Sequence, residues 1–371
     1  MSVSDLRVVL AGGGSAGHVN PLLATASALR DAGAGVVAVG TKEGLEADLV
    51  PAAGFELRTI ERVPFPRRPG AAMVRFPARY AAAVRHAGEI LDESRADVAV
   101  GFGGFASTPI YAAAKKRGIP VVIHEQNAKP GLANRYGARF ASAIGLTFPS
   151  TKLAAKVGVT RTIGLPLRPA IAGLAADRAV DPRAHRAEAA QRLGLDPDRI
   201  TLVVTGGSLG AQHLNEVFTE VMPQLAGFQV FHLTGRGKDA KVAAAAADLA
   251  DYHVRDYLTQ MEDAYAVADL VVCRSGAGPV AELSSLGLPG FFVPLPIGNG
   301  EQELNAADVI AVGGAKLVRD KDFTAQTVRS QIVALLRDPE QLVSMGSAAR
   351  GVSPTDAAGQ LAQMIIEAGK K

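Results

Sequence analysis

The sequence predicts an α/β protein made of two Rossmann-like domains, each a parallel sheet with helices on both faces. Three observations predict it. A glycine-rich strand-to-helix turn occurs twice, at RVVLAGGGSAGHVNP (Arg7 to Pro21) and at ITLVVTGGSLGAQHLN (Ile200 to Asn215). Short apolar runs alternate with alanine-rich amphipathic stretches along the whole chain, the order that gives parallel strands joined by crossover helices. At 371 residues the chain exceeds what one hydrophobic core usually holds.

Taken in order, strands are expected at Arg7–Leu10, Gly35–Val39, Val98–Val100 and Val121–His124. The second half repeats the pattern at Ile200–Thr205, Gln229–Leu233, Leu270–Cys273 and Gly290–Val293. Between the halves, GLPLRPAIAG (Gly164 to Gly173) is a proline-containing break. It divides the chain into a first domain over 1–165, a second over 166–350 and a terminal segment over 351–371. Asp196-Pro197-Asp198 is a turn that leads into the strand at Ile200. Ser353-Pro354 precedes a closing helix from Thr355 to Ala368.

Composition removes several classes. A single cysteine, Cys273, excludes a disulfide within the chain and fits a reducing compartment; at the end of an apolar run it reads as a small buried residue. The seven histidines show no metal-ligand spacing, so no metal site is expected. The first strand starts within ten residues of Met1 with no basic-then-apolar leader, and no run of about 18 apolar residues exists. The expected location is the cytoplasm. The net charge of +3 hides an asymmetry: residues 1–165 carry 20 Lys and Arg against 12 Asp and Glu, whereas residues 166–371 carry 19 against 24. A basic first half suits an anionic surface or substrate.

The glycine turns carry the chemistry. Glycine at the carboxyl end of a parallel strand lets backbone approach a ligand, and the next helix aims its N–H groups and positive dipole end at that spot. The same turn also serves simply to pack a helix on a sheet. Neither copy has the Lys-Ser/Thr ending of a triphosphate-binding loop. Dinucleotide binding is disfavoured, because the second strand ends at Gly40-Thr41-Lys42 and Glu43 comes slightly late to hold a ribose. In VCRSGAGPVAEL (Val272 to Leu283) a helix is expected to start near Pro279, with Glu282 in its first turn. There Glu282 reads equally as a capping carboxylate or as the acceptor of a ribose diol. VPLPIGNGEQELNA (Val293 to Ala306) places polar side chains at a helix start, which suits sugar hydroxyls. GFGGFAS (Gly101 to Ser107) and VIHEQNAKPGLAN (Val122 to Asn134) follow strands, so their loops share one sheet edge with the first glycine turn. That edge brings His18, Gly103-Gly104, Glu125 and Asn127 within reach of each other. His18 reads as a polar helix-start residue or as a general base.

Six motifs in this order, AGGGSAGHVNP, GFGGFAS, VIHEQNAKPGLAN, TGGSLGA, CRSGAGPVAE and GNGEQELNA, resemble the MurG family of UDP-N-acetylglucosamine transferases nearly end to end. The resemblance implies a GT-B fold, two Rossmann-like domains facing across a cleft, with the terminal helix returning to the first. It implies inverting transfer of GlcNAc from UDP-GlcNAc to the C4 hydroxyl of the muramoyl sugar in lipid I, giving lipid II, without metal, cofactor or nucleic acid. Carried over by motif, Ser15, Ala16 and Gly17 line the donor sugar and diphosphate edge. Asn127 is on the donor sugar side and Arg168 on the nucleotide side. Ser208 binds phosphate, and Leu258 of RDYLTQM offers backbone to uracil. Ala277, Gly278, Pro279, Val280, Ala281 and Glu282 wrap the diphosphate and ribose, with Glu282 on the ribose hydroxyls. Gln302 binds the GlcNAc hydroxyls. Three positions depart from the family pattern: Ser15 where threonine is usual, Pro279 where a hydroxyl residue is usual, and Glu301 where glutamine is frequent.

Inverting transfer needs in-line attack on C1 through an oxocarbenium-like transition state. Charge develops on the leaving diphosphate, so helix N-termini at Ser208 and near Pro279, with Arg168, are expected to stabilise it. His18 is the first expectation for the base and Glu125 the second. A lipid acceptor calls for a membrane contact. The segment Val63 to Arg85 interleaves Arg67, Arg68, Arg75, Arg79 and Arg85 with Met73, Val74, Phe76 and Tyr80; an ordinary solvated helix with a core-facing stripe would look similar, but the basic first half favours the inner face of the cell membrane. Other cell-wall and division enzymes are the protein partners this implies. Three other readings share the architecture: a transferase acting on another lipid, a UDP-GlcNAc 2-epimerase, and a non-catalytic UDP-sugar-binding scaffold.

Overall fold

A computed structural model describes residues 2–66, 70–207, 210–297 and 300–370. The chain forms two compact units, Met1–Arg168 with Asp356–Lys371, and Pro169–Thr355. The first contains β1 (Arg7–Ala11), α1 (Ala16–Asp31), β2 (Gly35–Gly40), α2 (Glu46–Ala52), β3 (Glu56–Thr59), α3 (Ala71–Glu93), β4 (Val98–Gly101), α4 (Ser107–Arg117), β5 (Val121–Glu125), α5 (Leu132–Gly137), β6 (Ala143–Leu146) and β7 (Val159–Thr162). Its sheet is seven-stranded in the order β3-β2-β1-β4-β5-β6-β7. Every pairing is parallel.

Side chains on β1 alternate between two cores, as a period of two requires. Val8 and Leu10 pack with Leu22, Ala26 and Leu29 of α1. Val9 and Ala11 pack on the other face with Ile90 and Leu91 of α3 and Ile110 and Tyr111 of α4. A strand covered on both faces needs a continuous apolar run, which RVVLA supplies.

The second unit contains α6 (Pro169–Val180), α7 (Arg186–Leu193), β8 (Thr201–Thr205), α8 (Gln212–Val221), β9 (Gln229–Leu233), α9 (Ala240–Ala245), β10 (Tyr252–Arg255), α10 (Met261–Val267), β11 (Leu270–Cys273), α11 (Ala277–Leu286), β12 (Gly290–Phe292), α12 (Glu301–Asn305), α13 (Ala307–Ala311), β13 (Ala315–Leu317), α14 (Ala325–Thr327), α15 (Val333–Leu336) and α16 (Pro339–Arg350). Its six strands run β10-β9-β8-β11-β12-β13. Leu202 and Val204 of β8 meet Leu214, Phe218 and Val221 of α8, while Phe323 and Ile332 close the same core. The last helix, α17 (Ala357–Gly369), packs on the first unit: Leu361, Met364 and Ile365 join Leu6, Val8 and Leu10. Burying such a side chain contributes about 1.5–3 kcal/mol each. Cys273 is fully buried, which pushes its thiol pKa up and leaves it inert.

Five strands carry no strong sequence signal. Four of them, β3, β7, β10 and β13, are the edges of the two sheets. Edge strands are covered on fewer sides and hold charged residues such as Glu56, Arg58, Arg161 and Arg255. The fifth, β6, is buried but only four residues long and holds a glycine.

Candidate functional site

In the first unit the chain runs outward from β1 to β2 and β3 on one side and from β4 to β7 on the other. The direction reverses between β1 and β4, and the crevice at such a reversal is where α/β sheets hold ligands. The loops after β1, β2 and β4 meet there around a recess of about 340 Å³ lined by Gly14, Ser15, His18, Thr41, Arg62 and Phe105. Ser15, Ala16 and Gly17 are exposed at the start of α1, whose first N–H groups have no carbonyl four residues back to bond.

His18 is half-buried in the first turn of α1. Its Nδ1 lies 3.1 Å from both the Gly13 carbonyl and the Ser15 hydroxyl. A carbonyl only accepts, so Nδ1 carries the hydrogen and Nε2 bears the lone pair. Burial holds the imidazole below its ordinary pKa, against the opposing pull of the Gly13 carbonyl and the Glu46 carboxylate. Gly103 and Gly104 both have positive φ, and a Cβ on Gly104 would stand 2.6 Å from the Gly13 oxygen. The β4 loop can close on the β1 turn only because these positions are glycine.

Sequence reasoning missed Glu46. Its carboxylate is fully buried and accepts the Gly14 N–H at 2.8 Å, and the Thr41 N–H and hydroxyl at 2.8 Å each. Burial pushes its pKa up, but the bonds from Gly14 and Thr41 outweigh burial and hold it below the ordinary carboxylate value. A Cβ on Gly13, Gly40 or Gly44 would collide with this side chain. That ring of glycines around one carboxylate was the signal available in GGG…GTKEGLE. Glu46 also gives a physical reason against a dinucleotide: the Gly14 N–H, a donor such a ligand would use, is already taken.

Glu125 is 1% exposed at the end of β5. It accepts the N–H groups of Asn127 and Gly131, each at 3.0 Å, and the Asn134 amide at 2.9 Å. Burial raises its pKa in spite of these donors. Tyr111 donates to Asn134 at 2.8 Å and completes the network. The arrangement shapes the loop that presents half-buried Asn127; it does not offer Glu125 to a substrate. Arg168 is half-buried at the end of the first unit.

In the second unit the strand order reverses between β8 and β11. Of the first crevice loop there, Gly206, Gly207 and Gly210 are described; Ser208 lies outside the described residues. The second loop leads into α11, which begins at Ala277, so that Pro279 falls in its first turn. Glu282 therefore sits in the second turn, too far along to cap, and accepts the Tyr265 hydroxyl at 2.8 Å. Pro279 has no N–H, so the first-turn donors of α11 are Ala277 and Gly278. Val280 and Ala281 are each 1% exposed, with side chains in the core. The Val280 N–H is bonded to the Gly276 carbonyl at 3.2 Å. These two support α11 and present no group to a ligand. Leu258 is half-buried between β10 and α10.

Gln302 accepts the Leu295 N–H at 2.9 Å, which leaves its NH2 as the end that donates; both line a recess of about 250 Å³. Arg274 was also missed. It donates to the carbonyls of Val293 and Pro294, at 3.0 and 3.1 Å, and pairs with Asp320, which in turn meets His213 at 3.1 Å. This chain ties the turn before α11 to the loop before α12. Among the described residues, no group of three or more His, Cys, Asp or Glu side chains is placed to hold a metal ion.

The glycosyltransferase family 28 N-terminal domain matches residues 8–146, and the glycosyltransferase family 28 C-terminal domain matches residues 201–361. The chain is 50% identical, over 99% of its length and 98% of theirs, to a UDP-N-acetylglucosamine–N-acetylmuramyl-(pentapeptide) pyrophosphoryl-undecaprenol N-acetylglucosamine transferase from Bifidobacterium longum. The transferase of that name from Paenarthrobacter aurescens is 50% identical over 98% of this chain and 96% of its own. Among solved structures, MurG of Acinetobacter baumannii superposes with a TM-score of 0.79 at 28% identity, covering 98% of this chain and 99% of that one.

Proposed function

The chain belongs to the MurG family within glycosyltransferase family 28, UDP-N-acetylglucosamine-dependent transferases of peptidoglycan synthesis, and from that premise we propose how its residues divide the reaction. The donor is UDP-GlcNAc and the acceptor is lipid I. The acceptor's C4 muramoyl hydroxyl attacks C1 of GlcNAc in line, the C1–O bond to UDP breaks, the anomeric centre inverts, and lipid II forms.

His18 is the base. One observation carries this: Nδ1–H is held by the Gly13 carbonyl, so Nε2 presents its lone pair at the sheet reversal of the first unit. Burial keeps the ring neutral at pH 7, so it can take the hydroxyl proton as the C–O bond forms. Glu125 is a positioning residue that holds Asn127 toward the donor sugar. In the second unit, the Ala277 and Gly278 N–H groups and the dipole of α11 receive charge as UDP leaves, together with Ser208 and Arg168. Glu282, oriented by Tyr265, accepts the ribose hydroxyls, the Gln302 NH2 donates to GlcNAc, and backbone at Leu258 meets uracil.

No helix among the described residues is long and apolar enough to cross a membrane. A lipid acceptor is then reached from the surface, and the first half of α3 suits that contact. Val74 is 82% exposed and Phe65 67%, with Met73 and Arg75 exposed beside them. Arg79 is paired with Glu61, so Arg75 carries more of the local charge toward an anionic leaflet; Arg67 and Arg68 lie outside the described residues. On this reading the protein sits on the inner face of the membrane, beside other cell-wall and division enzymes.

The test is label transfer from UDP-GlcNAc to a lipid I analogue, with UDP release followed in parallel. Transfer should be acceptor-dependent, slowed about 10²–10⁴-fold in His18→Ala, and lost in Glu282→Ala. UDP-GlcNAc binding without transfer would defeat the proposed reaction in favour of a scaffold.

A further inference from the structure

The amino edge of the second unit's sheet, opposite the glycine turns, holds a recess of about 540 Å³ that the transferase reaction does not use. It lies where the chain enters β8, β11 and β12, between α6 and α16. Five arginines line it, Arg178, Arg183, Arg186, Arg199 and Arg350, against two aspartates, Asp198 and Asp269. Three of the five have carboxylate partners. Arg186 makes two bonds to Asp269, at 3.2 and 2.8 Å. Arg199 pairs with Asp251, and exposed Arg183 lies 3.8 Å from Asp198.

Among the described residues, Arg178 and Arg350 have no carboxylate within ion-pair distance. Arg178 is only 6% exposed, and its guanidinium donates to two carbonyls, Leu286 at 3.2 Å and Ala266 at 3.4 Å. Arg350 donates to the carbonyls of Arg178 at 2.7 Å and Leu286 at 3.2 Å. Bonds to Leu286 suit the negative end of α11, so part of each side chain has a structural role. Each guanidinium nevertheless has five N–H donors, and these bonds leave more than half of them for another acceptor. A buried cation without a carboxylate is costly, and the usual remedy is an anion with good hydrogen-bond geometry. Burial first, then Arg350 and Arg186, depress the Arg178 pKa to about 10, against the opposing pull of Asp269 and Asp181. The remaining wall is apolar, with Ile200, Leu288, Leu342 and Val343.

We propose that this recess is a second ligand site, separate from the donor site. It binds a phosphate-bearing molecule, with Arg178 and Arg350 gripping the phosphate oxygens and the apolar wall receiving the organic body. Guanidinium pairs favour phosphate over a simple halide because their planar forks match its oxygens. The volume fits a small phosphate ester. Because both arginines hold Leu286, the last residue of α11, an anion that draws them away acts on the helix whose first turn is assigned to the donor diphosphate.

The test is calorimetric titration of inorganic pyrophosphate into the full chain saturated with UDP, which occupies the donor site of the proposed function. One further equivalent should bind. Affinity should fall at least tenfold in Arg178→Gln. Should that variant fail to fold, Val343→Glu decides: residue 343 is 71% exposed, so a carboxylate there leaves the core intact and repels an anion. It should weaken binding at least fivefold, with Val343→Gln unchanged. A parallel titration with monomeric dihexanoyl phosphatidic acid separates the sources: tighter binding than pyrophosphate identifies a lipid headgroup, and weaker binding a soluble phosphate. No second equivalent of either probe, or equal affinity in Val343→Glu and Val343→Gln, would overturn the proposal. Failure of UDP itself to bind would count against the transferase reading and not against this one, because the Val343 pair still reports on the recess.

Discussion

Replacing Glu46 with glutamine should loosen the turn that holds His18, and the hydrogen bonds say by how much. Oε1 of Glu46 serves the Thr41 N–H and hydroxyl; Oε2 serves the Gly14 N–H. Glutamine has one acceptor oxygen. Its better orientation keeps both Thr41 bonds and turns its NH2 toward the Gly14 N–H, donor against donor, in a pocket sealed by Gly13, Gly40 and Gly44. Losing a charge-assisted bond there costs about 1.5–3 kcal/mol. That is a factor of about 10–150 in the population of the closed turn, or roughly 3–12 °C in the unfolding midpoint for a unit of this size. Because Gly13 anchors His18 Nδ1, kcat for GlcNAc transfer should fall by up to the same factor.

The pH dependence follows as well. Glu46 has a folded pKa below its unfolded value, so its stabilisation is present above the ordinary value of 4.5 and is lost as pH falls through the lowered one. Glu46→Gln should lack that part of the acid destabilisation. Thermal unfolding from pH 3 to 7 and steady-state kinetics at pH 7 measure both effects. A variant with wild-type kcat, midpoint and acid profile would refute the reasoning.

Three further outcomes are expected. The acid limb of kcat/KM should have its midpoint below pH 6.5, since burial lowers the His18 pKa and only the neutral ring accepts a proton; His18→Asn should remove the limb, and an unchanged profile would rule His18 out as the base. Tyr265→Phe should raise KM for UDP-GlcNAc about tenfold with little change in kcat, because a lost bond to a carboxylate costs about 1.5–3 kcal/mol; an unchanged KM would detach Glu282 from the ribose. Val74→Asp with Arg75→Glu should abolish sedimentation with phosphatidylglycerol vesicles at an unaltered unfolding midpoint, since both side chains are exposed; undiminished binding would move the membrane contact elsewhere.

The chain's interior was legible because interior strands must be apolar on both faces. RVVLA, VVIHE and LVVT announce themselves for that reason, and the two glycine turns follow because the backbone there must approach something closely. The ordered motifs led to the family and to the reaction. Edge strands were not legible: Glu56 and Arg58 in β3, or Arg161 in β7, look like loop residues until a neighbour supplies the hydrogen bonds. Nor were the residues that hold the site in place. Glu46 reaches a turn 32 residues earlier, Arg274 reaches an aspartate 46 residues later, and Asp320 meets a histidine 107 residues before it. The placement of α17 against β1 and α1 likewise depends on contacts between opposite ends of the chain. Local patterning encodes which segments are buried and where backbone must turn. Which buried carboxylate meets which N–H is decided only when the sheet has assembled, because those bonds are made across it.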